Sequence, residues 1–356
     1  IFAKRTRWPL KGLAKRSQIV KKVVDDLLHV LQLDLSNSFL PVLQPAIGVG
    51  SAFEGWSPSD DEPVYRLLVP LKPPHGYSFC LELGKTGEMP SKECHICVDL
   101  ECICSNNKTT CIVHHPVKEL RKRHEGLSLR NTLCTGSYLD VQKTARWIQG
   151  LVRSAWGRVP HSQHYKMKML PSKNSCKMQL TNASKETLTV ELIFGVQQGN
   201  SDIFLCSQTP EAVVNSSTTW PMSCAVAEAK LFRQIATKAP RGSFHLECLH
   251  ACTRILVGTS FSTSMLKTVV MHLLTTIPLG AWRKKDFVLR LEDIMQYLHG
   301  CLQEKRLNHF FFGNKSVPKE IILPPEFQTA EPYNLFHHLV EDPVAHARAL
   351  EEFEEL

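Results

Sequence analysis

Residues 46–83 read AIGVGSAFEGWSPSDDEPVYRLLVPLKPPHGYSFCLEL, and they hold the strongest indication of the chain's architecture. The stretch begins with a small-residue turn, Gly48–Ser51, where glycine permits φ > 0 and a close approach of the backbone to a ligand. After a polar loop comes Val64–Leu71, a short apolar run rich in β-branched and aromatic residues that ends before two prolines. This pattern predicts a buried strand, with Tyr77–Leu83 as its hairpin partner.

A Gly-Ser turn followed by a strand is the arrangement with which nucleotidyltransferases hold a triphosphate. The strand then presents two carboxylates at alternate positions, which face the same side and share divalent cations. In this chain those positions hold Val64 and Arg66, and the acids Asp60, Asp61 and Glu62 lie in the preceding loop. The sequence therefore predicts a nucleotidyltransferase-like fold without its chemistry.

Further segments occur in a fairly specific order and spacing: GSAFEGW (50–56), YRLLVPL (65–71), CIVHHP (111–116), TVELIFGV (189–196) and an apolar helical block (261–312). By these segments the chain resembles the inositol trisphosphate receptor-interacting protein family, within the male-abnormal-twenty-one superfamily that includes cyclic GMP–AMP synthase. The resemblance implies an α/β (α+β) class and a bilobal nucleotidyltransferase-like fold. One lobe is a mixed, twisted sheet, and the other is a C-terminal helical bundle.

The resemblance also assigns the positions of the family's active site. Gly50 and Ser51 match its phosphate turn, Val64 and Arg66 match the first two metal-binding acids of active relatives, and Glu191 matches the third. One acid of three is retained, as Glu instead of Asp. We therefore expect no catalytic residue and only a remnant phosphate turn, with Glu191 pairing with Arg66 because opposite charges in a partly buried cleft satisfy each other.

Composition and periodicity divide the chain into four predicted parts. These are a basic N-terminal segment with a spine helix (1–45), a nucleotidyltransferase-like lobe (46–219) with a Cys/His-rich insert (84–115), a helical lobe (220–317) and a wrapping tail (318–356). Apolar residues at three- and four-residue steps predict a helix over Arg16–Leu33. A strand over Leu188–Val196, which carries Glu191, is expected in one sheet with Val64–Leu71 and Tyr77–Leu83. Asp286 is the predicted N-cap of a later helix.

The Cys/His-rich insert has three interpretations. Its cysteines are Cys94, Cys97, Cys102, Cys104 and Cys111, and a Cys-x-x-Cys pair followed by a Cys-x-x-His pair has the spacing of a tetrahedral zinc site. The ligands predicted for zinc are Cys102, Cys104, Cys111 and either His114 or His115. In an extracellular domain the same cysteines would form disulfides, and otherwise they would be unligated thiols. The chain has 13 cysteines, an odd and unevenly spaced set that argues against a small disulfide scaffold.

Charge and glycosylation signals bear on the compartment. The net charge is +8, and residues 1–22 hold eight Lys or Arg and no acid. Such a run most often forms a solvated or juxtamembrane helix face, so nucleic-acid binding is not expected. The most apolar long stretch, Met265–Trp282, contains Lys267 and His272 and is not expected to span a membrane. N-glycosylation sequons begin at Asn107, Asn182, Asn215 and Asn314.

The function that the resemblance implies is that of a catalytically inactive module in a membrane-tethered regulatory protein. It would act by binding a protein, a receptor or channel, and by modulating Ca²⁺ release through the inositol trisphosphate receptor. The tether, a single span outside this sequence, would lie in the plasma membrane or in the endoplasmic reticulum and nuclear envelope. Two alternatives stay open: a cell-surface ligand of a signalling receptor, and an active second-messenger nucleotidyltransferase that uses the loop acids. Zinc is the one cofactor that the sequence suggests.

Overall fold

The structure is a computed structural model that describes residues 12–36, 38–58, 62–83, 94–102, 128–208 and 216–355. Its contacts divide the chain into two compact units. The sheet unit contains Ser17–Gly48 and Val64–Val226. The helical unit contains Val49–Pro63 and Ala227–Leu356, together with the described residues up to Arg16. The four-part division drawn from the sequence stays a prediction.

The described residues form both strands and helices. The strands are β1 Val42–Leu43, β2 Ile47–Val49, β3 Val64–Lys72, β4 Tyr77–Glu82, β5 His95–Leu100, β6 Cys134–Thr135, β7 Tyr138–Leu139, β8 Tyr165–Leu170, β9 Cys176–Asn182, β10 Thr187–Gln197, β11 Phe204–Cys206 and β12 Met222–Ser223. The helices are α1 Leu13–Leu35, α2 Ser51–Glu54, α3 Leu129–Leu133, α4 Val141–Ala155, α5 Ala225–Lys238, α6 His245–Ile255, α7 Thr263–Thr276, α8 Phe287–Gln303, α9 Pro325–Thr329, α10 His337–Glu341 and α11 Pro343–Glu354. The α/β (α+β) class predicted from the sequence is confirmed.

The larger sheet is built on the parallel pair β3 and β10, two of the strands predicted from the sequence. β10 pairs with β3 on one edge and with β9 and then β11 on the other, while β8 extends the sheet beyond β9. The sheet is mixed, because the pairings of β1 with β3, β8 with β9, β9 with β10, β10 with β11 and β11 with β12 are antiparallel. Gly195 fits where β3, β10 and β11 meet: a Cβ there would lie 2.9 Å from Leu68 Cδ1 and 3.1 Å from the Leu205 carbonyl oxygen.

The predicted pairing of Tyr77–Leu83 with Val64–Leu71 is wrong. β4 pairs instead with β5, in a second sheet of order β4–β5–β7–β6. Both edges of β3 are already occupied, since β10 lies on one side and β1 pairs with the end of β3 on the other, with Leu43 opposite Leu71. β4 is also only partly buried, which suits a small sheet with one solvated face better than the centre of a large one.

Helix α1 confirms the helix predicted over Arg16–Leu33. Its residues Val20, Val23, Leu27 and Leu31 are fully or almost fully buried, and they recur at the three- and four-residue steps of one helix face. In the sheet unit its C-terminal end is held by Gln32, whose Nε2 donates to the carbonyl oxygen of Leu43 at 2.8 Å. The apolar stripe read from the sequence therefore faces the core.

The helical character predicted from residue 220 onward is confirmed by α5 to α8. Asp286 does stand at the N-cap of α8, but its side chain makes no capping hydrogen bond, because a 3₁₀ turn over Lys284–Asp286 leads into the helix. Ile294, Leu298 and Leu302 form the buried stripe of α8 as expected. Among the described residues, no helix is both long and apolar enough to cross a bilayer.

A buried ion cluster ties the helical unit together. Lys267 on α7 donates from Nζ to Glu54 Oε1 and to Glu228 Oε2, each at 2.5 Å. Trp56 Nε1 donates to the second carboxylate oxygen of Glu54 at 2.8 Å. Burial lowers the pKa of Lys267, but the two carboxylates outweigh it and leave this pKa above its ordinary value. The ammonium is therefore charged, and it holds the short helix α2 to α5 and α7.

Replacing Lys267 by Met should lower the free energy of unfolding by about 3–5 kcal/mol, because two carboxylates lose their counter-charge, one of them fully buried. Equilibrium denaturation in urea measures the change. The matched control is Lys238→Met, which removes an exposed lysine 3.7 Å from Glu320 in the same unit and should cost at most about 1 kcal/mol. Equal effects of the two substitutions would contradict the role given to the cluster.

Candidate active site

The parallel register of β3 and β10 sets the geometry of the candidate site. It places Val64 opposite Thr189 and Arg66 opposite Glu191. Arg66 Nε donates to Glu191 Oε2 at 3.0 Å. The Glu191 side chain is 7% exposed and the Arg66 side chain 40%, so the carboxylate is buried and the guanidinium reaches toward solvent. The pairing of Glu191 with Arg66 that the sequence predicted is confirmed.

The second oxygen of the Glu191 carboxylate is also occupied. Oε1 accepts hydrogen bonds from Ser175 Oγ at 2.9 Å and from Gln208 Nε2 at 2.7 Å. Ser175 lies just before β9, and Gln208 follows β11, so with Arg66 on β3 and Glu191 on β10 four segments of the sheet unit contribute to the arrangement. Both carboxylate oxygens thus face hydrogen-bond donors contributed by other segments of the unit.

These donors keep Glu191 ionised. Burial raises the pKa of a carboxyl group, but here the hydrogen bond from Ser175, the charge of Arg66 and the hydrogen bond from Gln208 outweigh it. The pKa of Glu191 therefore lies below its ordinary value. At neutral pH the group is a carboxylate whose lone pairs are committed to protein donors, which leaves it poorly placed to bind a metal ion.

The other positions of a two-metal site supply no ligand. Val64 is apolar and half-buried, and Arg66 is a permanent cation. Of the loop acids, Glu62 is exposed, while Asp60 and Asp61 lie outside the described residues. Within the part of the chain that the structure describes, no group of three or more His, Cys, Asp or Glu side chains could hold a metal ion.

Lysines add positive charge to the same face of the sheet, a feature that the sequence analysis missed. Lys177 on β9 lies directly opposite Glu191, and the register of β8 with β9 places Lys166 and Lys168 on that face as well. Lys166 and Lys168 are exposed and Lys177 is half-buried. Together with Arg66, these lysines give the part of the face around Glu191 an excess of positive charge. Alternating lysines in two neighbouring strands were the available signal, but it depends on knowing their register.

The remnant phosphate turn belongs to the helical unit. Gly50 has φ 76° and ψ 178°, and it precedes the four-residue helix α2, which begins at Ser51. The amides of Phe53 and Glu54 donate to the Gly50 carbonyl oxygen at 3.0 Å. The positive φ explains why glycine stands at this position. A phosphate-binding role for Gly50 and Ser51 stays a prediction.

The remaining site residues predicted from the sequence are only partly described. Cys102 is exposed, whereas Cys104, Cys111, His114 and His115 lie outside the described residues, as do Asn107 and Asn215. Asn182 caps the β9–β10 turn, where its Nδ2 donates to Glu186 Oε2 at 2.8 Å. Asn314 Nδ2 donates to the Phe310 carbonyl oxygen at 2.9 Å. The zinc set and the glycosylation sites stay predictions.

Comparison with known proteins places the chain among named relatives. A family model described as the Mab-21 protein HhH/H2TH-like domain matches residues 248–317. Inositol 1,4,5-trisphosphate receptor-interacting protein-like 1 of Rattus norvegicus is 34% identical over 98% of this chain and 66% of its own length. The protein of the same name from Mus musculus is 35% identical with the same coverage. The inositol 1,4,5-trisphosphate receptor-interacting protein of Danio rerio is 30% identical over 100% of this chain and 70% of its own length.

Replacing Glu191 by Gln should lower stability, because the neutral amide cannot pair with Arg66 and turns its own N–H groups toward other donors. We expect a loss of about 1–3 kcal/mol in the free energy of unfolding at pH 7, measured by chemical denaturation. The control Glu186→Gln, at an exposed turn position, should change it by less than about 0.5 kcal/mol. A Glu191→Gln variant as stable as the wild type would contradict the pairing.

The pH dependence of that difference has a definite sign. Because the pKa of Glu191 is depressed on folding, its stabilising contribution is present above the ordinary glutamate pKa of 4.5 and is lost as the pH falls through the lower folded value. The stability gap between wild type and Glu191→Gln should therefore be full at pH 7 and shrink below pH 4.5. A gap that widens in acid would show that Glu191 is not held as a carboxylate.

Proposed function

This chain belongs to the inositol 1,4,5-trisphosphate receptor-interacting protein family, and on that premise we propose that its nucleotidyltransferase-like fold is catalytically inactive and acts by binding a protein. The fold is retained in the sheet built on β3 and β10 and in the Mab-21 domain of residues 248–317. In this proposal the chain keeps the scaffold of an active relative and lacks its metal-dependent chemistry.

The observation that carries the proposal is the Arg66–Glu191 pair. Mg²⁺ takes oxygen ligands at about 2.0–2.1 Å in near-octahedral geometry and is normally bound by one or two carboxylates. Arg66 Nε lies 3.0 Å from the one carboxylate at the site, where it occupies the place of a metal and repels any cation that approaches. Val64 replaces a second ligand with apolar surface. A metal ion would need to displace a bonded guanidinium and break hydrogen bonds to Ser175 and Gln208.

The lysines on the same face support the same conclusion. Neighbouring strands in a sheet lie about 4.8 Å apart. Lys177 on β9 and Arg66 on β3 therefore lie on either side of Glu191, on strands that are roughly 10 Å from each other. Two-metal catalysis requires the opposite arrangement, in which carboxylates offset the charge of the divalent cations. The electrostatics of this face therefore favour an anion and disfavour Mg²⁺.

The proposed partner is a receptor or channel protein, and the relatives' names indicate the inositol 1,4,5-trisphosphate receptor. We propose that the chain binds this receptor and modulates its Ca²⁺ release. The chain spans 66% of the length of the first relatives, so this is a proposal about a part of such a protein. A single-pass tether outside this sequence, in the plasma membrane or in the endoplasmic reticulum and nuclear envelope, completes the proposal.

Nucleotidyl transfer is the first test. The purified chain, incubated with ATP and GTP and with Mg²⁺ or Mn²⁺, in the presence and absence of DNA, should form no metal-dependent product detectable by mass spectrometry. The chemistry lacks two of its three acids, and loop acids displaced by a few residues rarely meet a positional tolerance of about half an ångström. A metal-dependent product that Glu191→Gln abolishes would overturn the inactive assignment.

Direct binding is the second test. In surface plasmon resonance, the purified chain should give a saturable binding response on immobilised inositol 1,4,5-trisphosphate receptor. Treating the chain beforehand with a chelator of divalent cations should leave this response unchanged. Absence of saturable binding would remove the receptor from the proposal and leave the inactivity of the site standing.

A further inference from the structure

Two cysteines face each other across the second sheet. In the antiparallel pair of β4 and β5, the register sets Cys80 directly opposite Cys97. Opposed residues in such a pair have Cα atoms about 4.5 or 5.5 Å apart, depending on the type of pair, and both values fall within the range of about 4.4–6.8 Å that a disulfide spans. No other register given for the described strands sets cysteine opposite cysteine.

We propose that Cys80 and Cys97 form a cross-strand disulfide when the protein meets a thiol oxidant such as a small-molecule disulfide. The proposal does not depend on the proposed function, because it concerns only the second sheet. It adds a modification site outside the Cys102, Cys104, Cys111 and His114 set that the sequence suggested.

Exposure separates this pair from the buried thiols of the described residues. Cys80 is exposed and Cys97 half-buried, so an oxidant can reach them from the solvated face of the sheet. By contrast, burial raises the pKa of Cys176 and Cys206 to about 12, so these thiols stay protonated and unreactive. Cys94, close to Cys97 in the chain, is fully buried. The register therefore selects the pair, and its exposure makes the pair accessible to an oxidant.

The reaction with oxidised glutathione balances in two exchange steps. The Cys80 thiolate attacks one glutathione sulfur, forms a mixed disulfide and releases one glutathione thiolate. The Cys97 thiolate then attacks the Cys80 sulfur, closes the protein disulfide and releases the second glutathione. Burial and the neighbouring Asp99 carboxylate raise the pKa of Cys97, which lowers the fraction of its thiolate at neutral pH. Two protein thiols are oxidised, and one glutathione disulfide is reduced to two thiols.

The bond would connect β4 to β5 covalently and close the chain between them into a loop. Glu82 and Tyr138 already connect this face by a hydrogen bond of 3.0 Å from the Tyr138 hydroxyl. Tyr138 stands opposite Cys97 on the next strand, β7. Oxidation would therefore restrain the edge strand β4, which in the reduced protein is held by its pairing with β5.

The test uses the whole purified chain. It is incubated with oxidised glutathione, its remaining thiols are blocked with N-ethylmaleimide, and the tryptic peptides are analysed by tandem mass spectrometry. Lys85 and Lys92 lie between the two cysteines, so trypsin places them in different peptides. We expect a linked peptide pair that is lighter by two hydrogen atoms than the same two peptides with Cys80 and Cys97 reduced, once the N-ethylmaleimide groups on Cys94, Cys102 and Cys104 of the Cys97 peptide are counted. The fragments of this pair should assign the bond to Cys80 and Cys97. Dithiothreitol should release both peptides.

The variants make the assignment specific. Cys80→Ser and Cys97→Ser should each abolish the linked pair, while Cys301→Ser, which removes a half-buried thiol in the helical unit, should leave its yield unchanged. The proposal is overturned if wild-type Cys80 and Cys97 are both recovered as blocked thiols. It is also overturned if oxidation stops at the glutathione adduct of Cys80, or if Cys80 is bonded to another cysteine.

Discussion

The parallel alignment of β3 with β10 is the constraint on which the account of this protein depends. It sets Arg66 directly opposite Glu191, in a pair of strands that also carries almost fully buried side chains such as Tyr65 and Leu192. A buried carboxylate without a partner would cost several kcal/mol, so the position next to it must supply a cation or hydrogen-bond donors. In an active nucleotidyltransferase a metal ion provides the positive charge. Here the Arg66 guanidinium provides a permanent positive charge.

On the proposed inactive assignment, the scaffold can persist without its chemistry because different residues support each. The sheet is held by apolar side chains and the backbone ladder, neither of which requires the metal-binding acids. The helical unit has its own internal anchor, the charge cluster in which Lys267 contacts Glu54 and Glu228. Glu54 lies in the segment GSAFEGW, so in this family member part of that segment contributes to the internal charge cluster of the helical unit. A fold that no longer binds metal can keep its shape and present its surface to a protein partner.

Local patterns in the sequence were enough to predict β3, β10, α1 and the helices after residue 220, because each has a strong apolar period or run. The Arg66–Glu191 pair followed from the family positions of the two residues. The partner of β4 could not be predicted, because which edge of β3 is free depends on β1, a two-residue strand with little signal of its own. The contacts of Glu191 with Ser175 and Gln208, and those of Lys267, join residues distant in sequence, and no local spacing encodes them.

The central claim is that the protein's own arginine stands where a metal ion would bind, and a titration with Mn²⁺ followed by electron paramagnetic resonance tests it most directly. The wild-type protein should bind no Mn²⁺ at a site that depends on Glu191, so it should reduce the signal of free Mn²⁺ no more than Glu191→Gln does. A variant with Val64→Asp and Arg66→Asp, which restores carboxylates at both family positions beside Glu191, should deplete that signal. Stoichiometric Mn²⁺ binding by the wild type that is lost in Glu191→Gln would contradict the account.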